Sequence, residues 1–130
     1  MEYKRKVFGY ECDIYGHLNN ANYLHYYEEA RAESLEKMNL SVHRLNELGI
    51  QIYLTEIQLS FKQSLPMGEK VTIITKIDKA SRATSVWKQE IIDSSGNLCN
   101  IAYVKGVFVK NGKPTRISKD LYSLLIAFND

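Results

Sequence analysis

The chain has 130 residues, of which 45% are hydrophobic and 25% charged, a composition typical of one soluble globular domain spanning residues 1–130. The net charge of +2, without a run of Lys or Arg, argues against nucleic-acid binding. Cys12 and Cys99 match no metal-binding or redox spacing, so we expect no metal site and a reduced, cytoplasmic protein.

Neither end of the sequence resembles a targeting or membrane segment. Met1–Lys6 is charged and no apolar stretch follows it, so we expect no signal peptide. The apolar stretch Leu121–Phe128 is far too short to cross a bilayer, and we therefore expect no membrane span.

The first predicted elements are a strand and one long helix. β-Forming residues favour a strand over Tyr3–Tyr10, and a polar loop follows it. The helix is predicted over Asn20–Met38, with Asn19 placed to cap its first turn. Its apolar positions recur at three- and four-residue steps: Ala21, Leu24, Tyr27, Leu35 and Met38.

The rest of the chain is predicted to be mostly strand. A short helix, Ser41–Leu48, stops at Gly49, after which the apolar period changes from 3.6 to 2. Short connections favour antiparallel hairpins, and a final helix is expected from Ser118 to Phe128. We expect a four-stranded meander whose apolar face is covered by the long helix. Its strands are Thr55–Lys62, Glu69–Lys79, Thr84–Asp93 and Leu98–Lys110.

The loop before the long helix carries the residues with chemical potential. Asp13 and His17 lie just before the predicted helix start at Asn20. First-turn N–H groups of a helix lack an intrahelical acceptor and carry partial positive charge, so they can stabilise an oxyanion. A carboxylate nearby can attack a carbonyl carbon or activate a water. This arrangement suits transfer of an acyl group to water, although an Asp before a helix also occurs as a plain loop residue.

The segment Tyr10–Arg31, YECDIYGHLNNANYLHYYEEAR, resembles the signature of the 4-hydroxybenzoyl-CoA thioesterase-like family, which includes acyl-CoA thioesterases associated with the Tol-Pal cluster. Asp13, Ala21–Leu24 and Glu28–Arg31 match that family's Asp, its A-N-Y-L and its E-x-A-R. Gly16–Asn20 is instead similar to a second branch, which includes long-chain acyl-CoA and acyl-ACP thioesterases.

The resemblance extends over essentially the whole chain and implies an α+β hot-dog fold. In that fold a curved antiparallel sheet wraps around one long helix, here Asn20–Met38. Phe61–Glu69 resembles the family's aromatic-rich strand and turn, and Lys113–Ser118 resembles its usual ending.

The resemblance also implies roles for three loop residues. Asp13 would be the catalytic carboxylate, as general base or nucleophile, and the backbone N–H of Asn20 would polarise the thioester carbonyl. His17 matches a histidine proposed as catalytic in the acyl-ACP branch. The Tol-Pal-type branch has its histidine at the position of Asn20, so His17 is equally well interpreted as a loop histidine bonded to backbone.

Coenzyme A carries phosphates, so a site for it needs cations near its mouth. Arg82, with Ser85 nearby, and Lys62 are the candidates, and ordinary solvated charges are the alternative. Tyr15, Tyr23 and Phe61 complete the candidate substrate-binding set.

The resemblance therefore implies an acyl-CoA thioesterase that needs no cofactor, since coenzyme A is part of the substrate. Family members pair their sheets edge to edge, which predicts a homodimer and a dimer of dimers. A non-catalytic acyl-CoA-binding module and an acyl-ACP thioesterase are the alternatives, and the acyl group itself stays open. A hot-dog dehydratase is disfavoured, because its differently placed His and helix acid are not found here.

Overall fold

A computed structural model describes residues 1–129; Asp130, the last residue of the expected domain, lies outside the described residues. The strands are β1 Glu2–Lys6, β2 Gln51–Phe61, β3 Lys70–Ala80, β4 Thr84–Ile92, β5 Leu98–Lys110 and β6 Lys113–Pro114. The helices are α1 Asn22–Lys37, α2 Val42–Glu47 and α3 Lys119–Ile126, and 3-10 turns span Gly9–Glu11 and Ala127–Asn129.

The strands form one antiparallel sheet in the order β1-β3-β4-β5-β2, and the two-residue β6 pairs with the end of β5. The sheet curls around α1, which confirms the expected hot-dog fold. The helix packs against β1 and β3. Its buried face is unusually rich in aromatic residues, consisting of Tyr23, Tyr26, Tyr27, Ala30, Ser34 and Leu35.

The expected four-stranded meander is wrong in one respect. β3, β4 and β5 are joined by hairpins, but β2 pairs with β5 and forms an edge of the sheet. The chain between Phe61 and Lys70 crosses three strand spacings, roughly 14 Å. Its eight residues can span roughly 27 Å when extended, so they reach easily. Hydrophobic alternation predicts strands but does not tell which strands are neighbours.

That crossing segment supports the loop between β1 and α1. The N–H of Val7 donates to the carbonyl of Glu69 at 2.8 Å, and the N–H of Leu18 donates to the carbonyl of Leu65 at 2.7 Å. His17 forms an isolated antiparallel bridge with Pro66. Backbone contacts with this crossing segment therefore hold the loop that carries the predicted catalytic residues. No helix within residues 1–129 combines the length and the hydropathy that a bilayer-spanning segment requires.

Candidate active site

The loop from Asp13 to His17 folds back on itself. The N–H of Asp13 donates to the carbonyl of His17 at 2.9 Å, and the N–H of Gly16 donates to the carbonyl of Asp13 at 3.1 Å. Gly16 has a φ of 79°, a left-handed conformation that favours glycine at this turn. Ile14 and Tyr15 form the tip, with exposed fractions of 92% and 77%. The tip thus presents apolar side chains to solvent next to a carboxylate.

Asp13 is half-buried, and one of its oxygens is held in place. Oδ1 accepts the N–H of Tyr15 at 2.9 Å, whereas Oδ2 accepts no hydrogen bond from residues 1–129. The imidazole of His17 is exposed and makes no hydrogen bond within the same residues. Asp13 therefore keeps one oxygen for a substrate or water, and backbone contacts alone fix the position of His17.

The helix α1 begins two residues later than predicted, at Asn22, with Ala21 as its N-terminal flanking residue. Asn19 caps the turn before the helix: its Oδ1 accepts the N–H of Ala21 at 3.0 Å, and its carbonyl accepts the N–H of Asn22 at 2.9 Å. Asn20 is the second residue of this turn. Its N–H has no acceptor among the described residues. A free donor therefore lies at the predicted position.

Glu11 has structural importance that sequence reasoning missed. It lies just before the exposed loop, but only 6% of its surface is exposed. Its Oε1 accepts from Arg5 Nη2 at 2.6 Å, from the Tyr26 hydroxyl at 2.8 Å and from the N–H of Phe8 at 3.0 Å. Arg5 also holds both carboxylate oxygens of Glu29, at 2.7 and 2.8 Å. The sequence offered only a faint signal, a lone Glu beside Cys12-Asp13.

Aromatic side chains line the sheet end behind the loop. The rings of Tyr23 and Phe61 meet edge to face at 5.1 Å between centroids. Burial raises the pKa of the Tyr23 hydroxyl to about 12, so it stays neutral at physiological pH. Phe61 is half exposed and Tyr23 is 98% buried, with 2% exposed. The structure therefore brings these two candidates together, with Phe61 as the accessible one.

The remaining candidates divide between the two ends of the sheet. Lys62 directly follows Phe61 and is exposed, at the same end as the loop. Arg82 lies in the β3–β4 hairpin, where its Nε donates to the carbonyl of Ile117 at 2.7 Å. Ser85 is 2% exposed. β3 separates that hairpin from the loop by roughly 33 Å, so within one chain Arg82 and Ser85 do not join Asp13.

The amino-acid sequence is similar to those of known thioesterases. The profile of the thioesterase-like superfamily matches residues 8–125. The long-chain acyl-CoA thioesterase FadM of Escherichia coli is 29% identical over 91 residues, covering 70% of this chain and 68% of that protein. A chloroplastic acyl-acyl carrier protein thioesterase of Arabidopsis thaliana is 28% identical over 130 residues, covering 98% of this chain and 68% of that protein.

A solved structure is similar over most of its length. The DHNA-CoA thioesterase from Staphylococcus aureus is 27% identical with a TM-score of 0.89, covering 98% of this chain and 91% of that one. The three relatives differ in the acyl group or carrier that their names state, and they share thioester hydrolysis.

Proposed function

The chain belongs to the thioesterase-like superfamily, and from that membership we propose that it hydrolyses acyl-CoA thioesters to free acid and coenzyme A. Asp13 is the general base or nucleophile, and the backbone N–H of Asn20 polarises the carbonyl. The observation that carries this assignment is the N–H of Asn20, which has no acceptor among the described residues and lies in the turn just before α1.

The proposed reaction needs no group beyond the substrate, water and the chain. As a base, Asp13 takes a proton from water while the hydroxide adds to the thioester carbon. The carbonyl oxygen becomes an oxyanion that accepts the Asn20 N–H, and such a donor is typically worth ~10²–10³ in rate. The C–S bond then breaks, and the coenzyme A thiolate leaves and takes up a proton.

As a nucleophile, Asp13 would add to the same carbon and expel the thiolate, leaving a mixed anhydride that water hydrolyses. The open Oδ2 of Asp13 supports either route, because Oδ1 is already occupied by the Tyr15 N–H.

The proposed acyl-CoA site is shared between two subunits. β2 is an eleven-residue edge strand on which Tyr53 and Leu54 are 51% and 45% exposed. Long exposed edges with apolar residues favour pairing with another strand. A two-fold antiparallel pairing of β2 with its copy would bring one subunit's β3–β4 hairpin end towards the other's catalytic loop. Arg82 can then approach the coenzyme A phosphates only from the second subunit, whereas Lys62 is available in the same chain.

An acyl-ACP substrate is the second candidate. The motif Gly16–Asn20 and the 28% identity to the Arabidopsis acyl-acyl carrier protein thioesterase favour it. The two candidates share the same chemistry at the carbonyl and differ in the carrier that must dock beside it.

The test is thiol release from a panel of substrates. The panel should contain short-chain, long-chain and aromatic acyl-CoA thioesters, together with the best acyl group on carrier protein. We expect kcat/KM to be highest for an acyl-CoA. A much higher kcat/KM for the matched acyl-ACP would select the second candidate. Binding of acyl-CoA without thiol release would indicate a non-catalytic module.

A further inference from the structure

We propose that Glu11 is a positioning residue for hydrolysis, which holds the Asn20 N–H in the place where it meets the carbonyl oxygen. This inference rests on the proposed function and adds a residue to it. Glu11 lies nine positions before Asn20, and its backbone carbonyl contacts both ends of the turn that contains Asn20.

The backbone carbonyl of Glu11 anchors the turn that contains Asn20. It accepts the N–H of Asn19 at 3.0 Å and the side-chain Nδ2 of Asn22 at 2.8 Å. Asn19 and Asn22 are the first and last residues of the turn that contains Asn20, and they are joined to each other at 2.9 Å. One oxygen atom therefore fixes both ends of the turn that presents the free N–H.

Side-chain contacts of Glu11 hold that carbonyl in place. The Glu11 side chain is buried, and its Oε1 receives bonds from Arg5 in β1, Tyr26 in α1 and the backbone of Phe8. The guanidinium of Arg5 also lies over the Tyr26 ring, at 3.8 Å from the centroid. Burial and the bond to Glu11 raise the pKa of Tyr26, so its hydroxyl remains a donor. Strand, helix and loop are thereby joined at one carboxylate.

The consequence concerns rate, because an oxyanion donor acts only where the oxyanion forms. A misplacement of about 1 Å can cost ~10²-fold in rate. Replacing Glu11 with Ala removes the side-chain bonds to Arg5, Tyr26 and the Phe8 N–H, so the backbone carbonyl that anchors the Asn19–Asn22 turn is held less firmly. We expect Glu11→Ala to lower kcat by about 10- to 100-fold with little change in KM. Glu11→Gln keeps an amide oxygen in the same place and should recover most of that loss.

The matched control is Glu29→Gln. Glu29 shares Arg5 with Glu11 but makes no hydrogen bond to the loop within the described part of the chain. Its replacement weakens the same ion-pair network without touching the Glu11 carbonyl. We expect a lower melting temperature and a kcat within about twofold of wild type. A kcat loss equal to that of Glu11→Ala would assign the effect to the network as a whole and overturn the proposal.

The decisive experiment is a double-mutant cycle in kcat between Glu11→Ala and Asn20→Pro, at a temperature where circular dichroism shows every variant folded. If Glu11 acts through the Asn20 N–H, Glu11→Ala lowers kcat by about 10- to 100-fold in the wild-type background. In the Asn20→Pro background, where the N–H is absent, it lowers kcat by less than about twofold. Equal factors in both backgrounds would overturn the proposal.

Two further outcomes separate this inference from the proposed function. A fully active Asn20→Pro variant would remove the oxyanion role itself, whereas an impaired one with additive Glu11 effects removes only the positioning role. If Glu11→Ala does not fold, Asn22→Ala replaces it in the cycle, because it deletes the Nδ2 bond to the same carbonyl and leaves the ion pairs intact. A smaller kcat loss that vanishes in the proline background is then expected, and an additive loss would contradict the proposal.

Discussion

The Tyr27 hydroxyl in α1 donates to Oδ1 of Asn100 in β5 at 2.7 Å, and both residues are completely buried. The Nδ2 of Asn100 has no partner among residues 1–129, so this single bond is all that satisfies the amide. Tyr27→Phe would leave both Oδ1 and Nδ2 of Asn100 without a partner, and we expect it to lower the free energy of unfolding by about 1–3 kcal/mol. Chemical denaturation measures the change.

The control is Tyr10→Phe, since the Tyr10 side chain is 85% exposed and losing its hydroxyl should leave stability unchanged. Replacing both partners in Tyr27→Phe/Asn100→Leu should recover part of the loss, because no polar group then stays buried without a partner. A Tyr27→Phe variant as stable as wild type would contradict this role.

Some elements of the fold follow from local sequence signals, and others do not. Alternation and capping are local signals, and they predict the strand Leu98–Lys110 and the helix cap at Ser118 as the structure has them. They do not predict that β2 lies beside β5, because strand neighbours depend on the path of Lys62–Glu69 across the sheet end.

The partners of the charged side chains also cannot be predicted from residues nearby in the sequence. Glu28 and Arg31 lie three positions apart on α1, a spacing that favours an ion pair, yet Arg31 Nη1 donates to Gln89 Oε1 at 2.9 Å. Glu29 is instead the partner of Arg5, twenty-four residues away. These two contacts join α1 to β4 and to β1, and only the folded chain brings the residues together.

The two thiols should differ in reactivity. Burial, followed by the nearby charge of Asp93, raises the pKa of Cys99 to about 11, so about one thiol in a thousand is ionised at pH 8. Cys12 is half-buried and more accessible. Titration with a disulfide reagent at pH 8 should modify Cys12 first and Cys99 only after unfolding. Simultaneous modification of both in the native protein would contradict the burial of Cys99.

The edge strand β2 should be the subunit contact. Leu54→Lys places a charge on the edge strand that pairs in the proposed dimer, so we expect weaker association and lower kcat/KM. Sedimentation velocity at micromolar concentration measures the state, with a dimer or tetramer expected for wild type. Ile126→Lys is the control, because Ile126 is 48% exposed on α3, which packs against β3. A wild-type protein that is monomeric and fully active would contradict the proposal that two subunits share the site.

The Asn20 backbone and side chain can be separated. Asn20→Ala keeps the N–H and should lose little rate. Asn20→Pro removes it at the second position of a turn, where proline is well tolerated, and should lose ~10²–10³ in kcat with little change in melting temperature. Equal and severe losses in both variants would assign the role to the side chain.

The most direct test of the account is the turnover of Asp13→Asn on the best acyl-CoA. Asparagine retains an oxygen for the Tyr15 N–H, so the loop keeps its shape while the base or nucleophile is lost. We expect kcat to fall at least ~10²-fold with an unchanged melting temperature, and Asp13→Ala to behave alike in rate. A folded Asp13→Asn variant that hydrolyses the thioester at near wild-type rate would contradict the proposed mechanism.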